Sequence, residues 1–356
     1  MNDYMELTQR GRIRRLRSVA QNALEAFDIH GADTVFRLNH ATAHVSFRVQ
    51  APGTTPKGLR DSGQFVSDQY FLRLGQPGYQ ATDVVESESV WLNALRADTD
   101  LPVPEPIRSN CGRFAIEVEA AGVPGARQCS LFRWVAGRHI REGRETASHL
   151  RAAGRVMARL HEHASSWTPP KGFTRWRYDW NGLYGDPSCT GVASDAVRGE
   201  VIASVRPAYD RATSMLRGVM QDLGVRSNAF GLIHADFGLD ANILFWHGEA
   251  RPIDFNDSAF GYWMFDLGVA LSGVRGRDDW ATLRDAFLAG YQDVRSIPQK
   301  QMRHLDLFIA AWHAFEIHWA AAEICTHPEW TKGAQAWQNE AGNALRRLLQ
   351  GGRRLL

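Results

Sequence analysis

The stretch from Leu232 to Asp266, LIHADFGLDANILFWHGEARPIDFNDSAFGYWMFD, constrains this chain more than any other. A short apolar run breaks into a loop carrying His234, Asp236 and Asn242. Two strand-like segments follow, Asn242–Trp246 and Ala250–Phe255, with His247-Gly248-Glu249 as turn chemistry between them. Asn242 and Asp254 each lie six residues from Gly248. A regular ladder folded at that glycine would set their side chains opposite each other on one face, about 5 Å apart. An amide oxygen and a carboxylate at that spacing suit a hard divalent cation, because Mg2+ takes one or two such ligands and completes its shell with phosphate oxygens. Asp236 is then left to handle a proton. Metal ligands from two places and a separate carboxylate for an incoming hydroxyl make a phosphoryl-transfer constellation.

His-x-Asp followed by Asn, and Ile-Asp-Phe one hairpin later, resembles the catalytic and metal-binding segments of the aminoglycoside phosphotransferase and choline kinase-like family. Those are small-molecule kinases on the protein-kinase fold, whose pattern is H-R-D-x-x-x-x-N and then D-F-G. Here five residues separate Asp236 from Asn242, and Asn256 stands where the glycine would be. The longer loop makes Asp240 a competitor for the second metal position, while the hairpin register favours Asn242. The resemblance covers about residues 30–330. Tyr70-Phe-Leu-Arg-Leu, the Pro-Gly-Tyr at Pro77, LPVPEP and IDFNDSAFGYWMFDLG look most like the homoserine kinase and bacterial stress-response kinase branch.

The resemblance implies an α+β, bilobal protein-kinase-like fold, with an antiparallel-sheet N-lobe and a mainly helical C-lobe. It divides the chain into an N-terminal helix (1–30), a small nucleotide-binding lobe (31–136) and a helical catalytic and substrate lobe (137–356). The implied activity is transfer of the γ-phosphate of ATP, with Mg2+ on Asn242 and Asp254, to a hydroxyl of a small molecule, Asp236 acting as base. Arg73 stands where the family carries a phosphate-contacting lysine, and its planar fork suits phosphate. Glu88 would be its acidic partner, with Glu86 the competitor about 200° round the same helix. Adenine would meet main-chain groups within Leu131 to Trp134, which brings in Leu131, Phe132 and Trp134. His234 would prop the loop. Asp266, at or near a helix start, would cap that helix or brace the catalytic loop. Two alternatives stay open: a Ser/Thr protein kinase of the same fold, and a nucleotide-binding regulator with little turnover. The glycine-free turn Asn39–Ala43 and the longer catalytic loop support the regulator.

Composition bounds the partners. A chain of 356 residues is long enough for two lobes, and a net charge of +2 asks for neither nucleic acid nor membrane. Cys111, Cys129, Cys189 and Cys325 lack metal or framework spacing, the pattern of reduced thiols. No apolar h-region follows the basic N-terminal cluster and no run approaches about 18 apolar residues, so the expectation is a soluble cytoplasmic protein.

Elsewhere, helical spacing marks residues 7–28 and 145–164, and His161-Glu-His163 lacks the i, i+4 geometry of a zinc site. Residues 51–63, APGTTPKGLRDSG, read as a long loop, and Trp176–Gly185 as an aromatic loop that is either a substrate wall or a tethered surface loop. On the helix read over 301–325, Trp312, Glu316, Trp319 and Glu323 share one face, with His313 beside them. That face is either a pocket wall for a polar or cationic substrate or an amphipathic packing face with rim charges.

Overall fold

The computed structural model describes residues 4–30, 33–41, 44–55, 63–78, 80–186 and 188–350. Residues 1–3, 31–32, 42–43, 56–62, 79, 187 and 351–356, which include part of the Asn39–Ala43 segment and of the Gly/Pro-rich stretch, fall outside them. The chain divides into two compact units. One holds the residues up to Arg138 with Pro169–Thr174 and Arg251–Asn256, and the other holds His139–Thr168, Arg175–Ala250 and the chain from Asp257 onward.

In the first unit, Leu16, Val19, Ala20, Ala23 and Leu24 fall on one face of α1 (Gln9–Ala26), which starts where Thr8 Oγ1 accepts the Gly11 N–H at 3.2 Å. Period-2 alternation then builds β1 (Val35–Ala41), β2 (His44–Gln50) and β3 (Phe65–Gly75). After α2 (Thr82–Asp98), the strands β4 (Ala115–Val118) and β5 (Arg127–Val135) complete an antiparallel sheet of order β1-β2-β3-β5-β4. The register puts Phe47, Leu72 and Leu131 in one row and Val45, Leu74 and Cys129 in another. These rows pack with α1 in one apolar cluster, each fully buried side chain contributing about 1.5–3 kcal/mol. Ser46, Arg48, Phe71, Arg73 and Phe132 therefore take the opposite face.

The second unit begins with α3 (Ala147–Ser166), whose Thr146 cap accepts the His149 N–H at 3.4 Å. It continues through β6 (Trp176–Tyr178), α4 (Trp180–Tyr184), α5 (Ser194–Glu200), α6 (Arg206–Leu223) and β7 (Phe230–Ile233). The hairpin β8 (Ile243–Trp246) and β9 (Glu249–Pro252) carries the chain into the first unit, and β10 (Ala259–Tyr262) lies past its return. Then come α7 (Trp263–Ser272), α8 (Trp280–Gln292), α9 (Gln299–Met302), α10 (Leu305–Thr326) and α11 (Thr331–Gln350). β10 sits between β6, to which it is parallel, and β7, to which it is antiparallel. Glycines let the helices approach at backbone distance. A Cβ on Gly154 of α3 would lie 2.1 Å from the Phe287 carbonyl oxygen of α8, and one on Gly268 of α7 would lie 2.4 Å from that of Phe308 on α10.

Two local readings change. Trp176–Gly185 is not a loop: it is β6 followed by α4, whose cap Asp179 accepts the Gly182 N–H at 3.0 Å. The hairpin turn is centred one half-step earlier than a fold at Gly248. His247 and Gly248 both have positive φ, +49° and +82°, the two-residue mirror-image turn that matches strand twist. The ladder ends at Ile243 and Pro252, so Asn242 and Asp254 lie beyond it and its register does not relate them. Among the described residues no helix is long and apolar enough to cross a membrane.

Candidate active site

In the first unit the site is built around Arg73. Its side chain is buried, and its fork meets both carboxylate oxygens of Glu88 on α2, Nη1 to Oε1 at 3.3 Å and Nη2 to Oε2. Nη1 also lies 3.5 Å from Asp254 Oδ1. Two carboxylates around one guanidinium offset the cost of taking that cation out of water. Glu86, the competitor, faces elsewhere: it accepts the N–H groups of Phe114 and Ala115 at 2.9 and 2.6 Å. Asp254 is 48% exposed and sits at φ +58°. A left-handed aspartate is a backbone cost found at sites that must aim a side chain.

Sequence reasoning missed His44, the first residue of β2. Its Nε2 lies 3.3 Å from Asn256 Nδ2. Burial first, and then the Arg73 charge, push its pKa down to about 4 against the pull of Asp254. At neutral pH it is an uncharged imidazole beside the Arg73 fork.

Part of the main chain within Leu131–Trp134 is already engaged. The Leu131 carbonyl accepts the Ile107 N–H at 2.8 Å and the Arg133 N–H donates to the Glu105 carbonyl at 2.9 Å, so these two groups hold the proline-rich connector against β5. What the segment offers is rings. Phe132 lies under Arg73, with Cζ 5.5 Å from its centroid, and Trp134 under Arg48 at 4.6 Å. Farther along this face a concavity of about 270 Å³ is lined by Val35, Arg37, Arg48, Gln50 and Gln69.

In the second unit the chain leaves β7 into the loop holding His234 and Asp236. The N–H groups of His234 and Ala235 donate to the two carboxylate oxygens of Asp266, at 2.9 and 2.7 Å. Ala235 is held at φ +70°. Asp266 lies in the first turn of α7 and is fully buried, yet it caps another segment, not its own helix. Behind it, His161 Nε2 lies 3.0 Å from Oδ2 and His161 Nδ1 2.8 Å from the Tyr291 hydroxyl. Burial lowers the His161 pKa, against the opposing pull of Asp266.

Beyond the clamp, the Asp236 N–H donates to His234 Nδ1 at 3.4 Å. Asn242 Nδ2 donates to both the Asp236 carbonyl, at 2.8 Å, and its Oδ2, at 2.7 Å. These bonds use the amide nitrogen and leave the Asn242 oxygen as a hard donor. Buried Tyr178 is raised well above its usual pKa, by burial first and then by its electrostatic interaction with Cys189, Asp257 and Asp236. His161, Tyr291 and Tyr178 gave no signal in the sequence, since His161 meets partners 105 and 130 residues away. On α10, Trp312, Glu316 and Trp319 are all half-buried and share a face.

Among the described residues no group of three or more His, Cys, Asp or Glu is placed to hold a metal ion. Mg2+ takes as few as one or two protein oxygens and completes its shell with phosphate and water, so it needs no such group. Asp254, half-exposed, and the Asn242 amide oxygen fit the donor chemistry that Mg2+ requires.

Comparison with known proteins decides the family. The model of the phosphotransferase enzyme family matches residues 56–305, more than half of the chain. The chain belongs to the phosphotransferase enzyme family. It is 28% identical over 204 residues to homoserine kinase of Acidiphilium cryptum strain JF-5, covering 56% of this chain and 58% of that relative. It is similar along its length to a microcompartment-associated aminopropanol kinase, with TM-score 0.76, 28% identity, 96% of this chain and 100% of that one. An amicoumacin kinase in complex with AMP-PNP and Ca2+ shares the fold at TM-score 0.69 and 15% identity, over 94% and 96% of the two chains. The fold is accordingly the bilobal, protein-kinase-like α+β fold, with an antiparallel sheet in the N-terminal unit and helices dominating the C-terminal one.

Proposed function

We propose that this protein transfers the γ-phosphoryl group of ATP to a hydroxyl of a small molecule. The observation that carries the reading is the Asp236 carboxylate, fixed by Asn242 at 2.7 Å on a loop whose preceding amides are clamped by Asp266. Asp236 accepts the hydroxyl proton, or orients the hydroxyl for in-line attack. His234 holds the loop. Arg73, braced by Glu88, contacts the α/β-phosphates, and Phe132 and Trp134 offer ring faces to the base. Asn242 and Asp254 would hold Mg2+, which would supply neutralisation of the phosphate charge. Most of the acceleration comes from positioning and charge neutralisation, not from the basicity of Asp236. Family membership supports the reaction class. The names of the homoserine kinase and the aminopropanol kinase favour an acceptor carrying both an amino group and a hydroxyl.

The test is γ-labelled ATP with Mg2+ and the full chain, offered homoserine, aminopropanol, aminoglycosides, choline-like alcohols, sugars and protein substrates. Label on a small molecule is expected. Label on protein would assign a Ser/Thr kinase instead, and nucleotide binding without transfer over the whole panel would assign a regulator.

A further inference from the structure

Asp254 lies in the left-handed region at φ +58°, a conformation that a residue other than glycine keeps only where its surroundings over-determine it. Within the first unit, Arg73, Trp91 and His44 hold the segment at three consecutive residues. Arg73 Nη1 reaches Asp254 Oδ1 at 3.5 Å. Phe255, fully buried, packs edge-on against Trp91 of α2, with ring centroids 5.5 Å apart and planes at 76°. His44 Nε2 lies 3.3 Å from the side-chain nitrogen of Asn256, itself buried. His44 and Arg73 come from neighbouring strands and from one face of the sheet, since Ser46, two residues after His44, is the register partner of Arg73. The guanidinium therefore fixes one end of the Asp254–Asn256 segment and the imidazole fixes the other.

The direction of the His44 bond follows from its chemistry. An amide nitrogen only donates, so His44 Nε2 accepts and the ring proton resides on Nδ1. A protonated imidazole has no acceptor and would meet the Asn256 N–H with a second donor. Burial and the Arg73 charge keep His44 uncharged at neutral pH, which keeps the bond available. Asn256 is needed for the same reason. A glycine, the residue that the D-F-G pattern has at this place, carries no side chain with which to make the bond.

We infer that His44 and Asn256 form a latch that holds the Asp254 carboxylate in place for the divalent cation, with His44 a positioning residue that acts through Asn256. The inference rests on the metal-holding role proposed for Asp254 above. Groups that orient a metal ligand from behind are worth roughly 10–100-fold in metal affinity when they are removed.

The experiment measures the affinity of the full chain for AMP-PNP, once with Mg2+ and once with EDTA, and the melting temperature alongside. It compares the unaltered protein with His44→Phe, Asn256→Ala, the double variant and His44→Gln. Each of the first two substitutions should weaken binding with Mg2+ by about tenfold or more and leave binding in EDTA unmoved. The double variant should lose no more than the worse single one, because both remove the same bond. His44→Gln retains an acceptor oxygen and should restore most of the loss. If His44→Phe does not fold, Asn256→Ala and His44→Gln carry the comparison. Affinity with Mg2+ unchanged in the variants would overturn the latch. Equal losses with and without Mg2+ would also overturn it, since a general brace gives that result. The expected losses in a protein that transfers phosphate to no acceptor would keep the latch and overturn the transfer reading. An unaltered protein that binds no nucleotide under either condition would overturn both.

Discussion

Arg73 and Glu88 show how the group proposed to meet phosphate is held by a buried partner. The fork is buried and its charge is balanced by a carboxylate on a neighbouring helix. Removing one member of a buried pair leaves the other uncompensated, so Glu88→Ala should lower unfolding free energy by about 3–5 kcal/mol in a denaturant titration. A loss under about 1 kcal/mol, typical of a surface pair, would mean that Arg73 is not relying on Glu88. Arg73→Lys should weaken nucleotide binding because a single ammonium cannot reproduce the planar fork. The choice between Glu86 and Glu88 was only half legible in the sequence. Helical spacing showed that the two point apart, but which one meets β3 depends on where β4 begins, and Glu86 is used by the first amides of that strand.

At the level of elements, Asp266 ties α7 to the loop holding His234 and Asp236, and His161 ties α3 to Asp266. Asp266→Ala orphans two buried amides and an imidazole, each worth about 1–3 kcal/mol. The expected result is lower stability, a large fall in kcat and little change in the Kd for Mg-ATP; a variant with normal turnover would remove the brace from the account. The helix contacts make a second prediction. Gly154→Ala places a methyl against the Phe287 carbonyl, and α3 and α8 must part, costing about 1–3 kcal/mol by the usual penalty for overpacking. An unchanged melting temperature would show that the helices can separate freely. Most strands and long helices were legible from periodicity. The hairpin register was not, because Gly248 alone suggests the turn centre, whereas His247 also adopts positive φ, a state a residue name does not announce. β6 and α4 hid in an aromatic run without clear period, although Asp179 is an ordinary helix cap.

For the whole molecule, order of elements and the central motif carried the fold class: strands first, helices after, and the His-x-Asp to Ile-Asp-Phe stretch between β7 and α7. What sequence could not mark is that Pro169–Thr174 and Arg251–Asn256 join the first unit from far along the chain. Global stability should also depend on pH. Burial holds His318, 1% exposed and bonded to the Tyr209 hydroxyl at 2.8 Å, at a pKa of about 4 instead of 6.5. Between those values the unfolded chain binds a proton that the folded one refuses. Stability is therefore intact above about pH 6.5 and falls as pH drops toward 4, by on the order of 3 kcal/mol for His318 alone. His44 acts in the same direction. Denaturant titrations at pH 7.5 and pH 5 should show the fall, and His318→Asn should flatten it; a slope unchanged by that substitution would contradict the assignment.

The central claim is that Asp236 handles the acceptor hydroxyl while other groups hold the nucleotide. Steady-state kinetics of Asp236→Asn, with Mg-ATP affinity measured alongside, tests it most directly. The expected result is a kcat lower by about 10²–10⁴-fold, the contribution of one positioned acid–base group, with nucleotide affinity preserved. Near-normal turnover in that variant would contradict the account.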